Sequence, residues 1–288
     1  MVIVRLIGGL GNQLFQYAYA LSLLEQGYDV KLDASAFESY TLHGGFGLGE
    51  YAERLEVATT EEVDMVSRVG RISTLLRKLQ GKKSRRVIKE SNFSYDEKML
   101  TPEDSHYLVG YFQSELYFNK IRGELLSALD LKHKLSPYTE ASYLAIADAS
   151  VSVSMHIRRG DYVSDKAAHN THGVCSLDYY YAAVTFFEER YPDVDFYIFS
   201  DDIEWVKENL NVQRAHYISS EEKRFAGEDI YLMSQCDHNI VANSSFSWWG
   251  AWLNANEDKI VVAPRQWYAD SNMQRLSKTL VPDTWIRL

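Results

Sequence analysis

The chain has 288 residues, of which 46% are hydrophobic and 24% are charged, the balance of a globular protein long enough for two domains. Its 30 basic and 40 acidic residues give a net charge of -10, which argues against a nucleic-acid partner because phosphates are repelled by such a surface. No run approaches the roughly 20 apolar residues of a membrane-spanning helix, and two widely separated cysteines indicate free thiols in a reducing cytoplasm.

The first half of the chain alternates strand-like and helical patterns. We predict strands at residues 2–7, 28–33 and 107–112, and helices at residues 13–24, from 59 to about 79, and 115–131. The segment Thr59-Thr60-Glu61-Glu62 has the spacing of a capping box, which marks a helix start.

The second half repeats the alternation more regularly. We predict strands at residues 151–157, 195–199, 215–218, 238–242 and 259–263, and helices at 177–191, 203–210, 229–236 and 246–254. Strand and helix in alternation predict an α/β fold with parallel, doubly wound sheets, which bind ligands at the carboxyl ends of their strands. Two such halves, 1–148 and 149–288, with a cleft between them are the predicted architecture.

A glycine-rich turn, Gly8-Gly9-Leu10-Gly11-Asn12-Gln13, joins the first strand to the first helix. Glycines let the backbone approach a ligand, and the helix N-terminus presents N–H groups to an anion. A dinucleotide-binding interpretation would use Asp33 for the ribose, but Leu14 stands where that motif has its third glycine. The turn alone fits a ligand site and a plain strand-to-helix connection equally well.

Three strand ends of the second half carry chemistry-bearing side chains. The first runs into His156, Arg158 and Arg159 before Gly160, and arginines at a ligand-facing edge are suited to gripping phosphate. The next ends at two carboxylates that accept from ribose or guanine groups or cap the following helix. The third enters a hydroxyl-rich helix start that can cradle phosphate. The side chains at these last two ends are Asp201, Asp202, Asn243, Ser244, Ser245 and Phe246.

Other polar clusters favour a plain structural interpretation. Asp193-Val194-Asp195 has the form of a metal-binding motif but lies at the far end of its strand, so we predict a turn. His169, His172 and Cys175 have no fourth ligand nearby for a metal. The basic run at residues 82–86 predicts at most weak peripheral contact with anionic lipid.

Four segments together resemble the bacterial alpha-1,2-fucosyltransferases of glycosyltransferase family 11. They are residues 8–16, 156–162, 199–202 and 243–250, which match in order and spacing as well as in composition. The resemblance implies a GT-B type fold, in which two Rossmann-like α/β domains face each other across a cleft. Residues 1–148 would form the acceptor-side domain and residues 149–288 the GDP-sugar-binding domain.

The resemblance also implies the reaction. The donor would be GDP-fucose, the acceptor a galactose-terminated oligosaccharide or lipid-linked glycan, and the sugar would be transferred with inversion, without a metal or other cofactor. The loops at residues 35–58 and 163–175 would set acceptor selectivity.

Roles for individual residues follow from the same resemblance. Arg158 would contact the beta-phosphate, and Asn12 would lie near the reacting centre. By residue type rather than by the resemblance, Asp161 and His156 are candidates for the general base, with orientation of Arg158 or of the nucleotide as the alternative role for both. The glycine turn and the other strand ends would hold the nucleotide. The implied donor-binding residues are Gly9, Gly11, Asn12, His156, Arg158, Asp201, Asp202, Asp229, Asn243, Ser244, Ser245 and Phe246.

Two alternatives remain open on the residues alone. A nicotinamide-dependent oxidoreductase would use the glycine turn but leaves Arg158 and Arg159 without a role. A protein that binds a nucleotide sugar without transferring it has the same motifs.

Overall fold

The computed structural model describes residues 1–38, 45–49, 51–67, 87–91, 93–103, 105–132, 134–218 and 225–288. The chain forms two compact units, Met1–Leu129 and Asp130–Leu288. The boundary predicted at 148/149 lies later in the chain than this division. Helix Pro137–Asp148, which precedes the predicted boundary, packs against helix Gly227–Gln235 within the second unit. The basic run at residues 82–86 and the second half of the helix predicted at 59–79 lie outside the described residues.

The first unit is built on a parallel four-stranded sheet in the order β2-β1-β4-β3. Its strands are β1 Val2–Arg5, β2 Val30–Asp33, β3 Val87–Lys89 and β4 Tyr107–Val109. Its α-helices are α1 Leu10–Glu25, α2 Thr60–Ser67 and α3 Arg122–Ala128. Short 3-10 helices lie at Ser35–Glu38, Ala52–Arg54, Glu97–Leu100, Glu115–Tyr117 and Asn119–Ile121.

Two local predictions in this unit meet different outcomes. The capping box is confirmed, since Thr59 Oγ1 accepts from the Glu62 N–H at 3.2 Å and Glu62 Oε2 accepts from the Thr59 N–H at 2.9 Å. The continuous helix predicted at 115–131 is wrong. Phe118 and Ile121 leave helical geometry, with φ of -146° and -111°, and the segment breaks into two 3-10 turns and α3.

The second unit contains a parallel six-stranded sheet in the order β10-β9-β8-β5-β6-β7. Its strands are β5 Val151–Ile157, β6 Val194–Ser200, β7 Ala215–Ile218, β8 His238–Ile240, β9 Val261–Ala263 and β10 Ile286–Arg287. Its helices are α4 Pro137–Asp148, α5 Gly160–Ser164, α6 Lys166–His172, α7 Leu177–Glu188, α8 Ile203–Asn209, α9 Gly227–Gln235, α10 Ser245–Leu253 and α11 Ser271–Leu276.

The core of the second unit explains why its strands show a clear apolar pattern in the sequence. β5 and β6 are buried along almost their whole length, as expected of central strands covered on both faces. Trp248 and Trp249 on α10 are fully buried, which confirms their prediction as core residues. Among the described residues, no helix is both long enough and apolar enough to cross a bilayer.

Candidate functional site

The three predicted strand ends of the second unit meet at one edge of its sheet. β5 lies between β6 and β8, with Ile157 paired to Ser200 and Met155 paired to Ile240. The segments that follow these strands therefore emerge side by side, as the parallel register requires. They carry Arg158, Asp201 and the start of α10.

Arg158 is the charged centre of this edge. Its guanidinium forms ion pairs with Asp161 and, at 2.6 Å from Nη1 to Oδ2, with Asp201. The Tyr162 ring lies 5.4 Å from its Cζ. Because two carboxylates hold its two terminal nitrogens, the planar guanidinium has a fixed orientation, which favours directional binding of an anion.

Arg159 points to a different environment. Its Nε lies 3.0 Å from Asp202 Oδ2, and its guanidinium lies 3.4 Å from the centroid of the Trp205 ring. Asp201 Oδ1 accepts the Arg159 backbone N–H at 2.9 Å. Asp201 and Asp202, predicted as nucleoside contacts or helix caps, are thus bonded to the two neighbouring arginines.

Gly160 is required by the close approach of Asp201. A Cβ added at Gly160 would lie 2.5 Å from Asp201 Oδ2, which is closer than real Cβ atoms come. The glycine of the Arg-Arg-Gly-Asp segment therefore makes room for the carboxylate that pairs with Arg158.

His156 is buried beneath this edge, which favours its neutral form. Burial, and secondly the Arg158 charge, lower the pKa of His156 to about 3. Its Nδ1 has no hydrogen-bond partner within the described part of the chain, and its ring lies 5.6 Å from that of Phe246. A group with so low a pKa is a poor general base near neutral pH.

The segment before α10 combines a fixed amide with a helix start. Asn243 is buried, and its Nδ2 donates to the carbonyls of His172, Gly173 and Trp267. Ser244 caps α10 by accepting the Phe246 N–H at 3.3 Å. Asn243 therefore ties the loops together, while Ser245 and Phe246 remain partly accessible at the helix N-terminus.

Three side chains of α1 connect the region of the glycine turn to other segments of the first unit. Gly8 adopts a φ of +81°, and Gly9 precedes the first helical turn. Asn12 Oδ1 accepts from Gln113 Nε2 at 2.8 Å. Gln13 bonds to Gly8, Gly45 and Gly47, and Gln16 bonds to Ile7 and Gly110. Gly11 is buried within the same turn.

Three residues that the sequence analysis did not identify hold neighbouring segments in place through hydrogen bonds. Gln113 reaches Asn12, and the Glu90 carboxylate accepts the N–H groups of Tyr111 and Phe112. Glu228 accepts from Ser136 at the start of α4, whereas its neighbour Asp229, the predicted nucleoside contact, lies partly exposed on α9. No local sequence motif indicates Gln113, Glu90 or Glu228, because each bonds to a segment that is distant in the sequence.

The side chains considered as metal ligands in the sequence make other contacts. Asp195 is paired with Arg214 at 2.6 Å and with His216 at 2.8 Å. His172 stacks on the Tyr162 ring at 4.6 Å, and Cys175 Sγ lies 3.4 Å from Asn243 Oδ1. Within the described ranges, no group of three or more His, Cys, Asp or Glu side chains is placed to hold one metal ion.

A cavity of about 430 Å³ opens beside the carboxyl end of β2 in the first unit. Two aromatic rings, Phe37 and Phe46, lie 6.0 Å apart at this cavity, with Ser35, Glu38 and Thr60 as its polar lining. Gln13 anchors the loop that carries Phe46 through its bonds to Gly45 and Gly47. The volume lies in the range of small-molecule sites, which combine apolar walls with a few polar groups.

Both units are parallel α/β sheets, and the second carries a guanidinium and a helix N-terminus at its carboxyl edge, the place where such sheets bind ligands. The family model for glycosyl transferase family 11 matches residues 84–288, and the chain belongs to this family. The predicted α/β class with parallel sheets in two units is confirmed, whereas the roles assigned to the two domains and to the single site residues stay predictions.

Relatives with known names agree with this family. An alpha-1,2-colitosyltransferase of Escherichia coli is 33% identical over 100% of this chain and 99% of its own length. The O-antigen biosynthesis glycosyltransferase WbnK of Escherichia coli is 32% identical over 98% of this chain and 99% of its own length. The bovine galactoside alpha-(1,2)-fucosyltransferase 1 is 28% identical over 54% of this chain and 45% of its own length. Among solved structures, ADP-heptose LPS heptosyltransferase II of E. coli is similar over 100% of this chain and 90% of that chain, with 12% identity and a TM-score of 0.47.

Proposed function

We propose that the chain transfers L-fucose from GDP-fucose, with inversion and without a metal, to the 2-hydroxyl of a terminal galactoside in glycan or O-antigen synthesis. The observation that carries this proposal is Arg158, oriented by Asp161 and Asp201 at the carboxyl edge of the second sheet. The two named relatives of full length, a colitosyltransferase and an O-antigen glycosyltransferase, support the setting.

The chemistry of the leaving group fits this edge. Departure of GDP places additional negative charge on the beta-phosphate, and a site without a metal has to supply fixed hydrogen-bond donors for it. Arg158 supplies a permanent charge with paired N–H groups. The backbone N–H groups at the start of α10, in addition to the one that Ser244 caps, supply further donors near the helix N-terminus.

The acceptor hydroxyl must lose a proton during the transfer. His156 and Asp161 are the two candidates from the sequence, and the low pKa of His156 favours Asp161. Asp161 is partly exposed, at 30% of its side-chain surface, so that a substrate hydroxyl has access to it.

The cavity beside β2 is suited to a sugar ring of the acceptor. The Phe37 and Phe46 rings offer apolar surface to the C–H faces of a pyranose, and Glu38, Ser35 and Thr60 offer oxygens to its hydroxyls. We expect Phe46→Ala to raise the acceptor KM several-fold with an unchanged donor KM. A rise in the donor KM instead would contradict this placement of the acceptor.

The transfer assay tests the proposal directly. The purified chain is incubated with lactose and either GDP-fucose or GDP-colitose, and the linkage of the product is determined by NMR. We expect an alpha-1,2-fucosylated product formed faster than its colitose counterpart. Faster transfer of colitose would instead assign the sugar that the E. coli relative is named for. Binding of GDP without any product would indicate a nucleotide-sugar-binding protein that transfers nothing.

A further inference from the structure

Gln113 is hydrogen-bonded to the Asn12 side chain. Gln113 is 8% exposed, and its Nε2 donates to Asn12 Oδ1 at 2.8 Å across 101 positions of sequence. The other end of the Asn12 amide, Nδ2, lies over Gly8, where an added Cβ would come within 2.5 Å of it. No acceptor for Nδ2 is present among the residues that the structure describes. The oxygen is therefore engaged, and the NH2 group is the end left for a ligand.

The backbone that presents Gln113 is strained and held from outside. Phe112, directly before it, has a φ of +52°, a conformation that side chains other than glycine rarely adopt. The Glu90 carboxylate accepts the N–H groups of Tyr111 and Phe112 at 2.8 and 3.1 Å. The Phe112 ring is fully buried and stacks on Tyr19 with centroids 4.0 Å apart.

A second anchor connects this segment to the glycine turn. Gln16 Nε2 donates to the Gly110 carbonyl at 3.1 Å, and Gln16 Oε1 accepts the Ile7 N–H at 2.9 Å. The ends of β1 and β4 are thereby fixed to the same helix. A strained backbone conformation persists only where surrounding contacts hold it. Here the positive φ of Phe112 places the Gln113 side-chain amide against that of Asn12.

We propose that Gln113 is a positioning residue, which turns the Asn12 NH2 group toward an oxygen that gains negative charge during glycosyl transfer. This inference rests on the proposed function and on the prediction, from the family resemblance, that Asn12 lies near the reacting centre. The opposite amide orientation would present a carbonyl oxygen, which repels that charge and cannot donate to it.

The variant Gln113→Glu tests the direction of the hydrogen bond. The introduced carboxylate has the same shape as the original amide but only accepts, so the Asn12 amide is expected to flip and donate to it. Loss of one preorganised donor costs on the order of 100-fold in kcat. We expect a loss of that size, measured at pH 8, with donor and acceptor KM values within about twofold of wild type.

Gln26→Glu is the matched control, since the same chemical change falls on an exposed side chain that bonds only within its own helix turn. A kcat for Gln113→Glu equal to that of the control, in a chain that transfers sugar, would overturn the inference. A wild-type chain without transfer would instead refute the proposed function.

A spectroscopic measurement tests the orientation without any activity. In protein labelled with 15N-asparagine, the Asn12 side-chain resonance is identified by its loss in Asn12→Asp. We expect its NH2 protons to exchange more slowly with water in Gln113→Glu than in wild type, because they then donate to the carboxylate. Unchanged exchange would mean that Gln113 does not orient Asn12.

Discussion

At Arg158 one positive charge meets two negative charges, from Asp161 and Asp201. The cluster therefore carries a net negative charge before any nucleotide arrives, although its task in the proposed reaction is to bind a diphosphate. A diphosphate competes with these carboxylates for the guanidinium N–H groups. Displacement of Asp161 from Arg158 would couple donor binding to release of the carboxylate that we favour as the base.

The buried His156 predicts how the stability of the fold depends on pH. Its pKa in the folded chain is about 3, below the ordinary 6.5, so between these values the unfolded chain binds a proton that the folded chain does not. The stability of the fold therefore falls as the pH drops below 6.5, by ~2 kcal/mol at pH 5 from this group. We expect His156→Gln to lose less stability than wild type between pH 7 and pH 5 in urea unfolding.

The control for this measurement is His169→Gln, which changes an exposed histidine of the same unit. Identical pH slopes for wild type and His156→Gln would contradict the shift that burial imposes on His156.

Single residues were predictable where a motif marks them and not where a distant segment does. The sequence predicts Arg158, Asp201 and the helix start at Ser244, because parallel strands end at one edge. Gln113 follows a turn at which Phe112 takes a positive φ, which no local pattern indicates. The predicted strand at 107–112 accordingly ends at Val109.

At the scale of elements, the turn between β5 and α5 sets the geometry of the site. Arg158 leaves the strand, Gly160 begins the helix, and Asp161 folds back onto Arg158 one turn later. The lack of a side chain at Gly160 admits Asp201 from the neighbouring strand end. Arg158 and Asp161 in this turn thus form one ion-pair cluster together with Asp201, for which Gly160 makes room.

A pair of glycine variants tests this turn. Gly160→Ala forces Asp201 away from Arg158, and we expect kcat/KM to fall by roughly tenfold or more, because a displaced guanidinium no longer meets the leaving group. Gly123→Ala lies within α3, where an added Cβ meets nothing within 4 Å, and is expected to retain full activity with slightly raised stability. Equal activity of the two variants would contradict the role of Gly160.

The helices and strands observed in the second unit agree closely with those predicted from the sequence, and the agreement is weaker in the first unit. Long buried strands such as β5 and β6 leave a strong pattern of consecutive apolar residues. The segment from Glu115 onward has helical periodicity, yet tertiary packing of Tyr117, Ile121 and Leu125 breaks it into short turns. Periodicity reports which residues face the core and not whether one helix carries them all.

At the scale of the whole molecule, the net charge of -10 has to be reconciled with an anionic donor. Local placement addresses this conflict, since Arg158 and the α10 start offer hydrogen-bond donors at one sheet edge of the second unit, where the diphosphate has to displace Asp161 or Asp201 from the guanidinium. Divalent cations are the usual alternative for holding a diphosphate, and the proposed reaction does without them.

Chelation tests this independence from metal. We expect the purified chain to retain its transfer rate in excess EDTA, because Arg158 and backbone N–H groups provide the charge compensation. The measurement is product formation with and without chelator at a fixed concentration of GDP-fucose. Loss of activity that manganese restores would refute the metal-free mechanism.

Calorimetric titration of the chain with GDP and with NAD tests the central claim, that the Arg158 edge holds the diphosphate of a GDP-sugar. The same titrations are made with Arg158→Lys and with the control Arg190→Lys, whose guanidinium stacks on Phe186 at 3.5 Å. We expect GDP to bind wild type and control equally, NAD to bind neither, and Arg158→Lys to bind GDP at least about tenfold more weakly, since a charge-assisted hydrogen-bond pair is lost. Binding of NAD in preference to GDP, or undiminished GDP binding by Arg158→Lys, would contradict the account.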